Sequence, residues 1–223
     1  RVGRGAAKGG RRRFVFLRRV KALGEIEPSR PWREDDAPAP VDPYGRSKLE
    51  AERALQIFCE SPDSSGMQWV VLRPPLVYGP GVRANFLRLM QAIDRGIPLP
   101  VGRAVAPRSL LYLDNLADAL MACAADARAA GNVFHVIDGE DLSVYALAGR
   151  LARLLDRPAR RVAVPIALLR GLGRISGRRD EIDRLVSPLR LDSGKLHKLL
   201  DWNPPFIVDY GLAATVALYR TGS

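Results

Sequence analysis

The chain has 223 residues, of which 47% are hydrophobic and 26% charged, and its formal net charge is +11. This size and composition allow a buried core in one domain, or in one domain with a small lobe. No apolar run reaches the length of a membrane span and no hydrophobic signal peptide opens the chain. We therefore expect a cytoplasmic protein with no membrane partner.

The positive charge is concentrated at the N-terminus. Residues 1–24 contain nine Lys or Arg and no Asp or Glu, whereas the rest of the chain is nearly balanced. Residues 1–13 lack a hydrophobic period and are predicted to form a basic irregular leader. A nucleic-acid binder with a basic tail therefore stays open as one hypothesis. Aromatic stacking residues are sparse in this segment, so we do not expect nucleic acid to be the main partner.

The remaining chain alternates short apolar runs with amphipathic stretches. In chain order, the pattern predicts a strand at 14–17, a proline-rich loop at 28–43, a helix at 44–59, a strand at 69–72, a loop at 77–81, a helix at 85–93, a strand at 109–113, a helix at 115–129 and a strand at 133–137. Beyond residue 143 the pattern is mostly helical, with breaks at prolines. Strands that alternate with helices predict a mainly parallel α/β sheet.

The stretch Tyr44-Gly45-Arg46-Ser47-Lys48 carries the clearest chemical signal. The phenol and the ammonium group are four positions apart, about one helical turn, so both share one helix face. An ammonium group stabilises a phenolate and lowers the pKa of a tyrosine. Such a pair can pass a proton to or from a substrate hydroxyl while a hydride moves at the same carbon. A solvated lysine at a helix N-terminus is the alternative interpretation.

Several segments on both sides of this pair occur in a fixed order. They are the strand at 14–17, Asp42 to Glu52, Leu72 to Gly81, Asn85-Phe86, Arg108 to Leu113 and Leu200 to Pro205. In this order the chain resembles the extended short-chain dehydrogenases/reductases, the NAD-dependent epimerases and dehydratases of nucleotide sugars. Within that family it is most similar to UDP-hexose 4-epimerases and to reductases of UDP-4-keto-hexosamines.

The resemblance implies a role for each matching residue. Tyr44 would be the catalytic acid/base, and Lys48 would tune it and hold the nicotinamide ribose of NAD or NADP. The nicotinamide pocket would be walled by Arg73, Pro74, Pro75 and Leu76. The substrate's diphosphate would meet Asn85, Phe86 and Arg108, and the segment from Leu99 to Val101 would flank its base. A planar guanidinium suits the diphosphate because it offers several donors.

Two departures from the family pattern affect these expectations. Gly3, Gly5, Gly9 and Gly10 follow no strand and open no helix, so the glycine-rich turn that binds a pyrophosphate is absent. We therefore expect a chain without the first Rossmann strands, which does not hold the whole cofactor. The second departure is at Arg18 and Arg19, where the family places a Ser or Thr beside the tyrosine. In a restored full-length enzyme, replacing Arg19 with Ser is expected to raise activity, because a guanidinium cannot both donate and accept as a hydroxyl does.

The histidines and cysteines carry no catalytic prediction. His135 is predicted in the core and His197 on the surface, and Cys59 and Cys123 are expected to be reduced packing residues. With two histidines and no cysteine cluster, we predict no metal site.

The predicted fold is thus a partial Rossmann-like parallel sheet, lacking its N-terminal strands, with a small and mainly helical C-terminal substrate lobe. The expected divisions are the leader at 1–13, the Rossmann portion at 14–80 and the substrate lobe at 81–223, with strands near 109–137 returning to the sheet. The first hypothesis for function is an NAD-dependent nucleotide-sugar epimerase or reductase. A silent fragment that binds a nucleotide sugar weakly is the second, and Arg1, which is not a start methionine, is consistent with a fragment. A full-length form is expected to be able to form a homodimer.

Overall fold

A computed structural model describes residues 13–18, 20, 27–38, 43–64, 66–175, 177, 182–183 and 186–222. The predicted leader lies almost wholly outside these ranges, and so does Arg19. The backbone at Tyr44 and Lys48 is described as helical, whereas their side chains lie outside the description.

The described elements alternate between strands and helices. The strands are β1 (Arg13–Leu17), β2 (Gln68–Arg73), β3 (Leu76–Tyr78), β4 (Pro107–Tyr112), β5 (Asn132–His135) and β6 (Asp141–Ser143). The helices are α1 (Pro43–Glu60), α2 (Ala84–Asp94), α3 (Leu113–Ala125), α4 (Val144–Leu154), α5 (Ile166–Ile175), α6 (Gly194–Leu200) and α7 (Val208–Arg220). The α/β fold class is confirmed.

The first sheet has the strand order β1-β2-β5, and all its pairings are parallel. Its central strand is an apolar run in which Val70, Val71 and Leu72 have no exposed surface. A continuous hydrophobic run is typical of a parallel strand that is covered on both faces. The predicted parallel Rossmann-like sheet is therefore confirmed.

The second sheet has the order β3-β4-β6, with β6 antiparallel to β4. The sequence pattern grouped the strand at 109–113 with the one at 133–137, but the structure places the two in different sheets. The strands β3 and β6 were not predicted. Each is three residues long, β3 lies between Pro75 and Gly79, and β6 contains two polar residues, so neither gives a periodic signal.

A buried carboxylate links the two sheets. Asp138 follows β5 and accepts hydrogen bonds from the Tyr78 hydroxyl, the Tyr112 backbone N–H and Asn115 Nδ2, each at 2.8 Å. Burial raises the pKa of Asp138, and these three donors act against that rise. The Asn115 side chain also exchanges two hydrogen bonds with the backbone of Phe206, just before α7. Neighbouring parts of both sheets and the C-terminal helix therefore meet at one polar centre.

The C-terminal half packs mainly on the second sheet. The apolar faces of α2, α4 and α7 enclose one core cluster together with β4. In α2 the buried residues Phe86, Met90 and Ile93 recur at helical spacing. A second cluster joins the first sheet to α3 and α6. Among the described residues, no helix is both long enough and apolar enough to span a membrane.

Candidate active site

The carboxyl ends of the first sheet define the candidate site. Because β1, β2 and β5 are parallel, Leu17, Arg73 and His135 end their strands at the same edge. In open α/β sheets, ligands bind outside this edge. The residues that follow these strands are therefore the candidates for ligand binding and catalysis.

Three buried charged residues, Arg18, Glu52 and Arg73, form an ion-paired triad next to this edge. Glu52 of α1 bonds the Arg73 guanidinium through Oε1 at 2.7 Å, and its Oε2 accepts a hydrogen bond from Arg18 Nη1. All three residues are between 3% and 4% exposed. Breaking a buried pair leaves an uncompensated charge, so the triad holds α1 against the ends of β1 and β2.

Positive charge exceeds negative charge within this triad. Two guanidinium groups share one carboxylate, and Arg18 Nε, Arg18 Nη2 and Arg73 Nε are buried without a hydrogen-bond partner. Buried donors without acceptors cost free energy. Of Arg18 and Arg19, the two residues where the resemblance implies a hydroxyl, the structure describes Arg18, and its side chain is bound to Glu52.

His135 is buried beside this triad. Burial, followed by the charge of Arg73, lowers the pKa of His135 to about 4. Neither ring nitrogen forms a hydrogen bond of normal length and angle, although backbone groups of Asp192 and Trp32 act against the fall in pKa. The backbone N–H of His135 donates to Glu34 Oε1 at 2.9 Å, and burial raises the pKa of Glu34. The predicted core position is confirmed.

Tyr44 and Lys48 lie on the helix that the triad fixes. Positions 44, 48 and 52 are spaced by four residues within α1, so they recur along one face of that helix. The structure describes only the third of these side chains. The catalytic roles of Tyr44 and Lys48 stay predictions.

The segment after β2 begins with buried residues and ends at the surface. Pro74 and Pro75 are buried, whereas Leu76 is 44% exposed. The Val20 backbone N–H donates to the carbonyl of Pro74 at 3.1 Å, which ties the end of β1 to this segment. The guanidinium of Arg73 points into the triad and is bound to Glu52. A role for these residues in a nicotinamide pocket stays a prediction.

The predicted substrate residues divide into surface and core positions. Asn85 is exposed at the start of α2, and Leu99 is half-buried. Phe86 and Val101 are 3% and 4% exposed and belong to the core, where the ring of Phe86 stacks on Tyr78. Arg108 Nη1 donates to the backbone carbonyl of Ser187 at 2.7 Å. Leu99 and Val101 lie on one strand-like segment. The substrate contacts assigned to Asn85, Phe86, Leu99, Val101 and Arg108 stay predictions.

Sequence reasoning assigned no role to Glu52 or Glu34. Glu52 stands four residues after Lys48, so the pattern Tyr-x-x-x-Lys-x-x-x-Glu was the available signal. Its arginine partners are 34 and 21 residues away in the chain, and no local periodicity reveals such a pairing. Glu34 gave no signal, because it stands in a charged loop. Within the described ranges, no group of His, Cys, Asp and Glu has the arrangement of a metal site.

Comparison with known proteins agrees with this arrangement. The family model described as "NAD dependent epimerase/dehydratase family" matches residues 2–136, which include the whole first sheet and α1. The chain belongs to this family.

One curated relative is the UDP-glucose 4-epimerase of Vibrio cholerae, which is 38% identical over 216 residues. The match covers 96% of this chain and 65% of that protein, so the chain spans slightly less than two thirds of its relative's length. Among solved structures, MoeE5 in complex with UDP-glucose and NAD has a TM-score of 0.77 at 23% identity, covering 99% of this chain and 69% of MoeE5. The UDP-glucuronic acid 4-epimerase of Bacillus cereus, solved with NAD, has a TM-score of 0.79 at 20% identity, with coverages of 99% and 65%. These structures show the same fold.

The described residues of this family member fit one half of an NAD site. Three parallel strands end at a common edge, which is where dinucleotides bind in open α/β sheets. The glycines near the N-terminus, which the sequence did not identify as a pyrophosphate motif, lie outside the described residues.

Proposed function

We propose that this protein acts on a nucleotide sugar, with a UDP-sugar as the substrate class, by oxidising or reducing one sugar carbon. NAD would supply the hydride acceptor and donor. The observation that supports this most directly is the buried Glu52–Arg73 ion pair, which fixes the Tyr-x-x-x-Lys helix at the carboxyl edge of the parallel sheet. The 38% identity to a UDP-glucose 4-epimerase supports the substrate class.

In this proposal each matching residue has one task. Tyr44 takes the proton of the sugar hydroxyl and returns it in the reverse direction, and Lys48 holds the nicotinamide ribose and stabilises the phenolate. Arg108 and Asn85 hold the diphosphate, and the Leu99 segment flanks the base. Pro74, Pro75 and Leu76 exclude water from the reacting carbon. A cytoplasmic location is part of the proposal, and the free thiols of Cys59 and Cys123 support it.

The decisive experiment is turnover of UDP-glucose and UDP-galactose with added NAD, in the wild type and in Tyr44→Phe. We expect Tyr44→Phe to lower the rate by at least about 100-fold, because it removes the proton-transfer group. Binding of the UDP-sugar, followed by calorimetry, should be unchanged. Tyr210→Phe is the matched control, since Tyr210 is an exposed tyrosine on α7. Equal and measurable rates in Tyr44→Phe and the wild type contradict the assigned role, whereas the absence of product from the wild type supports the second candidate below.

A second candidate function is binding of a nucleotide sugar without turnover. The observation that favours it is the buried Arg18–Glu52 ion pair, which places a guanidinium at the end of β1, where the family resemblance implies a hydroxyl residue at position 18 or 19. Under this proposal the protein binds UDP-glucose and Arg108→Gln weakens that binding, yet no product forms with NAD. Detectable turnover in the wild type eliminates this candidate.

A further inference from the structure

A concave pocket on the outer face of α4 is lined by four arginines. Its volume is about 360 Å³, and the guanidinium groups belong to Arg150, Arg153, Arg157 and Arg161. The first two come from α4, and the other two come from the extended segment that follows it. The pocket shares no residue with the candidate active site.

Three of the four guanidinium groups are held in place. Arg150 bonds both Glu140 and Asp209, with Nη1 at 2.9 Å and 2.8 Å from the two carboxylates. Arg157 Nε donates to Asp94 at 3.1 Å. The carboxylates that fix these arginines do not line the pocket. The lining of the pocket therefore carries positive charge, although carboxylates that lie outside the pocket partly neutralise Arg150 and Arg157.

Arg161 is held without a carboxylate. Its guanidinium lies 3.9 Å above the Tyr145 ring, and Nη1 donates to the Tyr145 carbonyl at 3.1 Å. Gly149 provides the necessary room, because a Cβ there would lie 2.7 Å from Arg161 Nη1. Together with Ala146 and Ala152, Gly149 forms a floor of small residues below the cations.

Arg153 completes the rim of the pocket. It is exposed, and within the described part of the chain its side chain forms no hydrogen bond or ion pair. The pocket therefore has two guanidinium groups, those of Arg153 and Arg161, with no carboxylate to balance them. Guanidinium groups match phosphate oxygens in shape and number of donors, and groups that are already fixed lose little entropy on binding.

From this geometry we propose that the pocket on α4 binds a compact phosphate anion, either inorganic pyrophosphate or the diphosphate of a free nucleotide. Fixed arginines on two sides contact the phosphate oxygens, and Arg153 closes over them from the rim. The space above Gly149 lets the Arg161 guanidinium lie close to the helix backbone, at the floor of the pocket where the anion would bind. The site is separate from the one that is proposed to hold the substrate's diphosphate at Arg108.

The test is calorimetric titration of the full chain with inorganic pyrophosphate at low salt, followed by titration with UDP and with uridine. The variants are Arg153→Glu and Arg161→Gln, and the matched control is Arg220→Gln, an exposed arginine on α7. We expect saturable binding of pyrophosphate, weakened about tenfold or more by either pocket variant and unchanged in the control. Arg153 has no partner to lose, so its replacement leaves the fold intact, and thermal unfolding checks this.

Further arms of the experiment distinguish the sources and the sites. If UDP binding depends on Arg153 and uridine does not bind, the diphosphate of a nucleotide is a ligand of the pocket. If pyrophosphate binds and UDP does not, the ligand is the inorganic anion. Arg108→Gln should leave the pocket's affinity for pyrophosphate unchanged. Loss of that affinity in Arg108→Gln instead of in the pocket variants overturns the proposal, as does equal weakening in Arg220→Gln. Neither result depends on whether the protein turns over a sugar.

Discussion

At the scale of single residues, the buried triad places two guanidinium groups against one carboxylate. Glu52 is the one carboxylate between Arg18 and Arg73, and buried guanidinium groups need a charged partner. The free energy of unfolding therefore depends on Glu52 more than on the exposed acids of the same helix.

Replacing Glu52 with Gln tests this dependence. The amide keeps the shape but removes the charge, so two buried cations lose their counter-ion. We expect the free energy of unfolding, measured with urea, to fall by about 3–5 kcal/mol. Glu50→Gln is the control, since Glu50 is exposed on the same helix. A Glu52→Gln protein as stable as Glu50→Gln would show that the ion pairs contribute nothing net.

His135 makes stability depend on pH. Its pKa falls from 6.5 to about 4 on folding, so between these values the unfolded chain takes up a proton that the folded chain does not. The stability that the protein keeps while His135 is neutral is fully present above pH 6.5, and it is lost as the pH falls toward 4. From this residue we expect a loss of about 2 kcal/mol between pH 7 and pH 5.

The measurement compares the wild type with His135→Gln by urea unfolding at both pH values. Other groups such as Glu34 titrate in both proteins, so the difference between their pH profiles isolates His135. Parallel profiles in the two proteins would mean that the histidine does not titrate differently on folding.

At the scale of elements, a short paired segment fixes the predicted base-binding region. The Leu99 N–H donates to the Arg160 carbonyl at 2.8 Å, and the Gly102 N–H donates to the Val162 carbonyl at 2.9 Å. The two backbones approach so closely that a Cβ at Gly102 would lie 2.6 Å from Ala163 Cα. A side chain at position 102 would therefore force the segments apart.

Gly102→Ala should lower the free energy of unfolding by about 1–3 kcal/mol, through this overlap with the backbone. In contrast, Gly171→Ala should raise it by about 0.5–1 kcal/mol, because Gly171 lies within α5 and nothing is within 4 Å of its added Cβ. If the two variants change the free energy of unfolding in urea with opposite signs, the close approach of the two backbones is confirmed. A neutral Gly102→Ala contradicts it.

Helices and strands with a long periodic hydrophobic pattern could be predicted from the sequence. Short strands, and contacts between residues far apart in the chain, could not. The helix at 44–59 is observed as α1 and the strand at 69–72 as β2, because each has a continuous apolar pattern. The short strands β3 and β6 gave no such pattern. In the candidate site, Tyr44 and Lys48 were visible as a local motif. The buried partners of Glu52 were not, since tertiary packing alone brings Arg18 to it.

At the scale of the whole molecule, Asp138 joins the two sheets into one cooperative unit. Its three donors come from Tyr78, Tyr112 and Asn115, and the last of these also binds the segment before α7. We expect the two core clusters of the wild type to unfold together, so that tryptophan fluorescence and far-UV circular dichroism give the same urea midpoint.

Asp138→Ala should separate these two midpoints, because it leaves three buried donors without their acceptor and weakens the link between the clusters. Of the three tryptophans, Trp69 and Trp202 report on the first sheet and its helices, and Trp32 reports on a small third cluster. Circular dichroism also follows α2, α4 and α7. The control is Asp35→Ala, which changes an exposed carboxylate. Coincident midpoints in Asp138→Ala would mean that apolar packing alone couples the sheets.

The register of the first sheet has a kinetic consequence. Arg13 pairs with Gln68, 55 residues further along the chain, and its guanidinium donates to the carbonyl of Cys123, which is 110 residues away. Such long loops must close before any of these hydrogen bonds compensates the lost chain entropy. Refolding of this protein should therefore be slow for its size, on a millisecond-to-second time scale or longer, because so much of its parallel pairing is non-local.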